Sequence, residues 1–452
     1  MKPTPGQHLT FTHKGHTLKG VILNEDGGRL LIKLDSGYNI SLRRDELKNA
    51  KELTVEPKRK SARPERKPAP GLPKVALLHT GGTIASRVDY DTGAVIAQYT
   101  AEDILNLYPE LLDIAALSCT LVSNIQSEMM RFAHWNLLAE AVDKAVKAGA
   151  QGIIITHGTD MLHMTSAALS FALPNLSVPV ILVGSQRSSD RPSSDAVTNM
   201  FCAASFIAAE GKSFAGVGLC MHEGIANDDC VILPGTRCRK MHTSRRDAFK
   251  AINDIAYARI TYPSLQVQRL KKYPVKENLV KGDGKLKVKG FNEKLKIGLL
   301  PCHPQMYAKE LLAYEKWDGL VLELLGIGHA PTMATDAHNK EHERVMEAIA
   351  ALAKKLPVVA APQTIYGRIN MNVYTPGRQL LEAGVLGQGC DLTPETAFVK
   401  LAWLLSNYDK KDARKLYGQD LRGELSAKSE EYGYAPPKHK GKKEARIRKE
   451  KG

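Results

Sequence analysis

The sequence predicts an α/β protein: a small N-terminal SH3-like β-barrel, followed by a two-lobed α/β unit with largely parallel sheets. Three observations predict it. Residues 1–55 hold short β-rich runs separated by turn clusters, residues 56–73 are basic and proline-rich, and from Val75 onward apolar runs alternate with helical patterns.

In the first part, Thr17–Leu23, Leu30–Leu34 and Tyr38–Leu42 read as strands, with Asp26-Gly27-Gly28 and Asp35-Ser36-Gly37 as turns between them. About fifty residues in four or five strands bury little surface, so an interaction role is expected rather than catalysis. The stretch 56–73 carries no apolar period and reads as a linker.

Residues 74–270 form the expected first lobe. Val75–His79, Leu117–Ile125, Gly152–Thr156 and Val178–Gly184 read as strands; helices are expected from about Ala101, over Trp135–Ala148, through Ala167 and Leu169, and over about Asp195–Ala209. Strands that read as continuous apolar runs between helices belong to a sheet covered on both faces. The basic stretch Tyr262–Lys294, with 271–294 as its core, is expected to connect the lobes or insert as a hairpin. The second lobe, 295–425, has strands near Ile297–Leu300, Gly319–Leu324 and Val358–Ala361. Its helices are expected over Lys340–Lys355, near Arg378–Ala383 and over Pro394–Leu405.

The formal net charge is +15, and eleven of those charges lie in residues 58–67 and 436–452. The body is therefore near neutral, and the tail 426–452 is either a solvated extension or a contact for nucleic-acid phosphates. Seven scattered cysteines with no C-x-x-C pair argue against a zinc site or a disulfide framework. No leader-like segment opens the chain and no run approaches 18 apolar residues, so a cytoplasmic setting away from membranes is expected.

The chemistry concentrates at two strand ends. Val75–His79 runs into Thr80-Gly81-Gly82-Thr83-Ile84-Ala85, where paired glycines let backbone N–H groups approach a ligand and Thr83 presents a hydroxyl beside them. That combination suits acyl transfer, with the hydroxyl attacking a carbonyl and N–H groups near Gly82 holding the oxyanion. A phosphate-binding turn or a plain strand-to-loop junction is the alternative, although no nucleotide-binding glycine pattern is present. The second end, Thr156-His157-Gly158-Thr159-Asp160, repeats the design. If the two strands are parallel neighbours, Thr83 and Thr159 face each other with Asp160 beside them. A threonine needs a proton acceptor, and a lysine positioned by a carboxylate is one expected helper. Lys240, in a loop of small and polar residues, could supply that amine, although other lysines and arginines surround it. His157 reads more readily as a hydrogen-bonded structural residue than as a general base.

Thr80–Ala85 and His157–Asp160 resemble the two signature motifs of the asparaginase/glutaminase amidohydrolases, and the resemblance covers roughly 74–425. It implies an asparaginase-like two-lobed fold. Thr83 resembles the family's first threonine nucleophile, and Thr159, Asp160 and Lys240 resemble the second threonine with its aspartate and lysine. Tyr90 falls where the family keeps a mobile-loop tyrosine; Ser127 and Glu128 fall where it binds the substrate's α-amino and α-carboxylate groups. The N-terminal unit with Lys33–Asn39, the run Lys240–Phe249, Gly326-Ile327-Gly328-His329-Ala330-Pro331, and Tyr366–Tyr374 with Gly377-Arg378 resemble the D-subunit branch of archaeal glutamyl-tRNA(Gln) amidotransferases. Ala361-Pro362-Gln363-Thr364 departs from the Thr/Ser-Gln-Cys run expected there, a change at the lobe contact.

The resemblance implies a glutaminase supplying ammonia for converting Glu-tRNA(Gln) to Gln-tRNA(Gln). The tRNA-binding E subunit would be the partner, in an assembly of two copies of each chain. No metal or organic cofactor is implied in this chain; ATP and Mg²⁺ are expected on the partner. A free-standing cytoplasmic L-asparaginase/glutaminase is the rival reading, and a non-catalytic scaffold on an amidase fold a further one.

Overall fold

The structure, a computed structural model, describes residues 4–36, 38–53, 68–81, 86–88, 95–97, 109–187, 194–226, 228–274 and 285–429. Gly82, Thr83 and Tyr90 lie outside the described residues, as do most of the linker, the helix expected from about Ala101, the middle of the inter-lobe connection and the tail from 430.

The N-terminal unit is an antiparallel sheet of β1 (His8–His13), β2 (His16–Asp26), β3 (Arg29–Leu34), β4 (Asn39–Arg43) and β5 (Lys48–Glu52). Their order is β4-β3-β2-β1-β5. Leu9, Phe11, Ile22, Leu30, Ile32, Leu34 and Leu42 form its core. The barrel expectation is met only as far as five antiparallel strands: among the described residues no pairing joins β4 to β5, so no closed barrel is present.

The first lobe is built on β6 (Lys74–His79), a small hairpin of β7 (Ser86–Val88) and β8 (Val95–Ala97), β9 (Ala116–Leu121), α1 (Phe132–Lys147), β10 (Gly152–Thr156), α2 (Leu162–Ala172), β11 (Pro179–Val183) and α3 (Ala196–Glu210). It continues through β12 (Gly216–His222), β13 (Asp229–Pro234), β14 (Cys238–Lys240), β15 (Phe249–Ala251), β16 (Ala258–Thr261) and β17 (Gln266–Arg269). Eight strands make one sheet in the order β17-β16-β13-β12-β11-β10-β6-β9. The pairs from β9 to β12 are parallel. The edge from β12 to β17 is antiparallel. The sequence does not announce that edge; only the stretch from Tyr262 onward reads as a connection or hairpin.

Alternation explains the apolar runs. Ala76, Leu78, Ile153 and Ile155 face the cluster beneath α1 and α2. Val75, Leu77 and Ile154 face the cluster beneath α3. A strand buried on both faces has no polar side to show, so its sequence reads as continuous hydrophobicity.

The second lobe holds β18 (Ile297–Pro301), α4 (Ala308–Leu312), β19 (Gly319–Leu324), α5 (Glu341–Lys355), β20 (Val358–Pro362), α6 (Thr375–Glu382), α7 (Pro394–Asn407) and α8 (Lys410–Tyr417). Its three strands are parallel. Val345, Ile349 and Leu352 give α5 its buried stripe at helical spacing. The first-lobe core continues into this lobe, because Phe171 and Leu138 share a cluster with Trp403, Leu404 and Val359. Residues 285–294 stitch the two together: Asn136 exchanges hydrogen bonds with Phe291, and Trp403 Nε1 donates to the Lys289 carbonyl at 2.9 Å. Among the described residues no helix is long and apolar enough to cross a membrane, and all seven cysteines are free thiols.

Candidate active site

The two motif-bearing strands are parallel neighbours, with His79 opposite Thr156 in register. Their exits are tied together. The Thr80 N–H and hydroxyl both donate to the Thr156 carbonyl, at 3.1 and 2.9 Å. His79 Nδ1 lies 2.7 Å from the Thr156 hydroxyl and also accepts the Gly81 N–H at 3.4 Å. Gly81 then turns with φ +97, and a Cβ there would sit 2.6 Å from the Ile125 carbonyl oxygen. Only glycine combines that backbone angle with that approach. The chain therefore leaves β6 in a set direction two residues before Thr83.

On β10 the exit runs beneath Ser127. A Cβ on Gly158 would meet the Ser127 Cβ and Oγ at 2.8 Å. The Met161 N–H donates to Ser127 Oγ at 3.4 Å, which joins the buried serine to the second motif. Glu128, the next residue in this short turn, is exposed. Thr159 is buried, and its hydroxyl accepts a hydrogen bond from Lys240 Nζ at 2.9 Å. The same ammonium lies 2.8 Å from Asp160 Oδ1. Lys240 reaches them from β14, whose hairpin with β15 pairs Lys240 with Phe249. Lys240 is largely buried while Asp160 stands more than half exposed, so the set opens to solvent on the carboxylate side.

His157 is fully buried. Its Nδ1 lies 2.6 Å from the Gly158 carbonyl, and its Nε2 lies 3.0 Å from the Met130 sulfur. The carbonyl requires the Nδ1–H tautomer. Burial pushes the imidazoles of His79 and His157 down to about 4. It does the same to His163, in the first turn of α2. These rings fold as neutral groups, whereas an unfolded histidine binds a proton below about 6.5. Their stabilisation is therefore present above pH 6.5 and lost as the pH falls toward 4, by at most about 3 kcal/mol for each ring. The unfolding midpoint is expected to drop steadily between pH 6.5 and 4, and His157→Gln is expected to flatten that slope. Midpoints that ignore pH over this window would rule out the assignment.

Of the residues the sequence singles out, the structure brings Thr159, Asp160, Lys240 and Ser127 to the end of β10, with Glu128 beside Ser127 in the same turn. Gly82, Thr83 and Tyr90 lie outside the described residues. Sequence reasoning alone misses His163, Arg239 and Glu395. Arg239 Nε lies 3.0 Å from Glu395 Oε1, and His163 Nε2 lies 3.9 Å from the same oxygen. Arg239 stands out only as one cation among several near Lys240, and Glu395 comes from the other lobe. Among the described residues no group of three or more His, Cys, Asp or Glu side chains is placed to hold a metal ion.

Comparison with known proteins agrees with this architecture. The family described as "Asparaginase, N-terminal" matches residues 74–273, and that described as "Glutaminase/Asparaginase C-terminal domain" matches 296–417. The solved L-asparaginase of Thermococcus kodakarensis aligns with a TM-score of 0.67 at 31% identity, over 78% of this chain and 100% of that one. The L-asparaginase I of Vibrio cholerae shares the fold, with a TM-score of 0.65 at 24% identity. The D subunit of the glutamyl-tRNA(Gln) amidotransferase of Methanococcus maripaludis is 40% identical over 93% of this chain and 98% of its own length. Its counterpart in Archaeoglobus fulgidus is 40% identical over 93% and 95%. The chain belongs to the glutaminase/asparaginase family. Within it, the chain belongs to the D-subunit family of the glutamyl-tRNA(Gln) amidotransferases.

Proposed function

We propose that this chain is the glutaminase component of a tRNA-dependent amidotransferase, releasing ammonia from glutamine for the conversion of Glu-tRNA(Gln) to Gln-tRNA(Gln). The observation that carries the chemistry is Lys240, whose ammonium is bonded to both the Thr159 hydroxyl and the Asp160 carboxylate at the end of β10. β10 adjoins the strand that leads to Thr83.

In this reading the Thr83 hydroxyl attacks the side-chain amide carbon of glutamine, and backbone N–H groups around Gly82 stabilise the oxyanion. The Thr159–Lys240–Asp160 set carries protons. It takes up the proton that the Thr83 hydroxyl gives up on attack, Lys240 acting as the amine at that step. It passes that proton to the departing nitrogen as the C–N bond breaks, so that ammonia leaves behind a glutamyl ester on Thr83. Water then adds to the ester, and glutamate and the free threonine are restored. Asp160 holds the lysine in place and balances its charge. Tyr90, Ser127 and Glu128 serve the substrate's position: Tyr90 covers it, and the other two take its α-amino and α-carboxylate groups. The reading assigns ATP and Mg²⁺ to the tRNA-binding E subunit, with two copies of each chain in the complex.

Coverage favours this reading over a free-standing asparaginase. The D-subunit relative from M. maripaludis aligns with 93% of this chain, whereas the whole T. kodakarensis asparaginase spans 78%. The test is ammonia release from glutamine and asparagine by the purified chain, alone and with the E subunit and charged tRNA. Glutamine cleavage that rises with both partners is expected. Brisk asparagine cleavage indifferent to either would make the chain a free asparaginase.

A further inference from the structure

The short segment that carries Lys240 is held by the second lobe at almost every step. Thr396 Oγ1 donates to the Thr236 carbonyl at 2.9 Å. Arg237 donates to two second-lobe acceptors, Asp391 Oδ2 at 2.8 Å and the Glu424 carbonyl at 2.8 Å, and within its own lobe to the Asn253 carbonyl at 2.7 Å. Arg239 Nε meets Glu395 Oε1 at 3.0 Å. Glu395 and Thr396 lie in the first turn of α7, which Thr393 caps by accepting the Thr396 N–H. The partial positive charge at a helix N-terminus favours a carboxylate in that turn.

Glu395 is largely buried, and its Oε2 has no hydrogen-bond partner among the described residues. A buried carboxylate with one oxygen unsatisfied costs stability, which the α7 N-terminus, His163 at 3.9 Å and above all Arg239 at 3.0 Å offset. Successive side chains of a strand point to opposite faces. With Arg239 drawn toward α7, the next residue is turned the other way, and Lys240 there meets Thr159 and Asp160.

We propose that Glu395 is a positioning residue for glutamine hydrolysis: by holding Arg239 it aims Lys240 at Thr159 and Asp160, so that the second lobe completes the site of the first. This rests on the reading of Lys240 as the proton-carrying group. Neither Glu395 nor Arg239 is bonded to Thr159 or Asp160, so their action passes through the backbone of β14.

The test uses the full chain in complex with the E subunit. Glu395→Ala is expected to lower kcat for glutamine by about 10- to 100-fold, the effect of misplacing a reacting group by about 1 Å, with KM nearly unchanged. Glu395→Gln keeps an acceptor for Arg239 and is expected to restore most of kcat, which a requirement for charge alone would not allow. Arg239→Ala is expected to reproduce the loss, and the double variant to be no worse than either single one. Arg239 is partly exposed, so it carries the test if Glu395→Ala does not fold. Lys240→Ala is measured alongside. An active Lys240→Ala protein would overturn the site reading itself. An inactive one, with wild-type kcat in Glu395→Ala or with multiplying losses in the double variant, would overturn the positioning role alone.

Discussion

Thr83→Ala is expected to lower glutamine hydrolysis by about 10⁴-fold, equivalent to about 5 kcal/mol of transition-state stabilisation. The size follows from the role. Without a nucleophile no acyl-enzyme forms, and the oxyanion donors and bound substrate can assist only direct attack by water. Thr83→Ser keeps the hydroxyl and should retain measurable turnover. The exit from β6 is anchored before Thr83 is reached: Thr80 is tied to the Thr156 carbonyl and Gly81 is pressed against Ile125. The variant should therefore fold and still bind its partner. Added ammonium salt should support amide transfer by the Thr83→Ala complex, because the defect lies only in making ammonia. Glutamine-dependent transfer at an undiminished rate would refute the threonine mechanism. Loss of the ammonium-supported reaction as well would place the damage in folding or assembly.

Lys400→Met is expected to destabilise the α/β body by about 3–5 kcal/mol, the cost of leaving one member of a buried ion pair alone. The pair is closed off from solvent: Lys400 Nζ lies 2.6 Å from Glu424 Oε1, both side chains are 0% exposed, and the ammonium also donates to the Gln419 carbonyl at 2.6 Å. Glu424 in turn accepts the N–H groups of Leu421 and Arg422, which shapes the segment that follows α8. Removing the ammonium leaves a buried carboxylate beside Asp420 without its cation, so its proton affinity must rise. The folded variant then binds a proton that the unfolded chain gives up, so its deficit relative to wild type should shrink as the pH is lowered from 7.5 toward 5. Lys400→Met/Glu424→Gln should recover part of the loss, since the amide oxygen still accepts the two backbone N–H groups. In thermal unfolding the single variant should melt about 5–10 °C below wild type. A midpoint within 1–2 °C of wild type would show that the pair is not the anchor the geometry describes.

Much of the α/β unit is written in contiguous residues. Val75–His79 and Gly152–Thr156 announce strands because both faces are buried, and α5 announces itself through Val345, Ile349 and Leu352 at helical spacing. The two strand ends are likewise visible, since glycine next to threonine after an apolar run is a local pattern. The antiparallel edge from β12 to β17 is harder to see. β17 shows only partly buried or exposed residues, so it lacks the hydrophobic signature of its neighbours. The N-terminal strands are legible, but whether their sheet closes depends on how its two edges lie, and no single strand encodes that.

By itself the sequence determined the α/β class, the strand–helix alternation and the two hydroxyl-bearing strand ends, because each depends on residues within a few positions of one another. Only the tertiary structure decided that β6 and β10 are parallel neighbours, that Lys240 among several cations meets Thr159 and Asp160, and that Glu395 holds Arg239 beside it. These partners lie far apart along the chain: sheet hydrogen bonding joins the two strands, and the meeting of α7 with β14 across the lobes brings Glu395 to Arg239, which no local period or turn chemistry records.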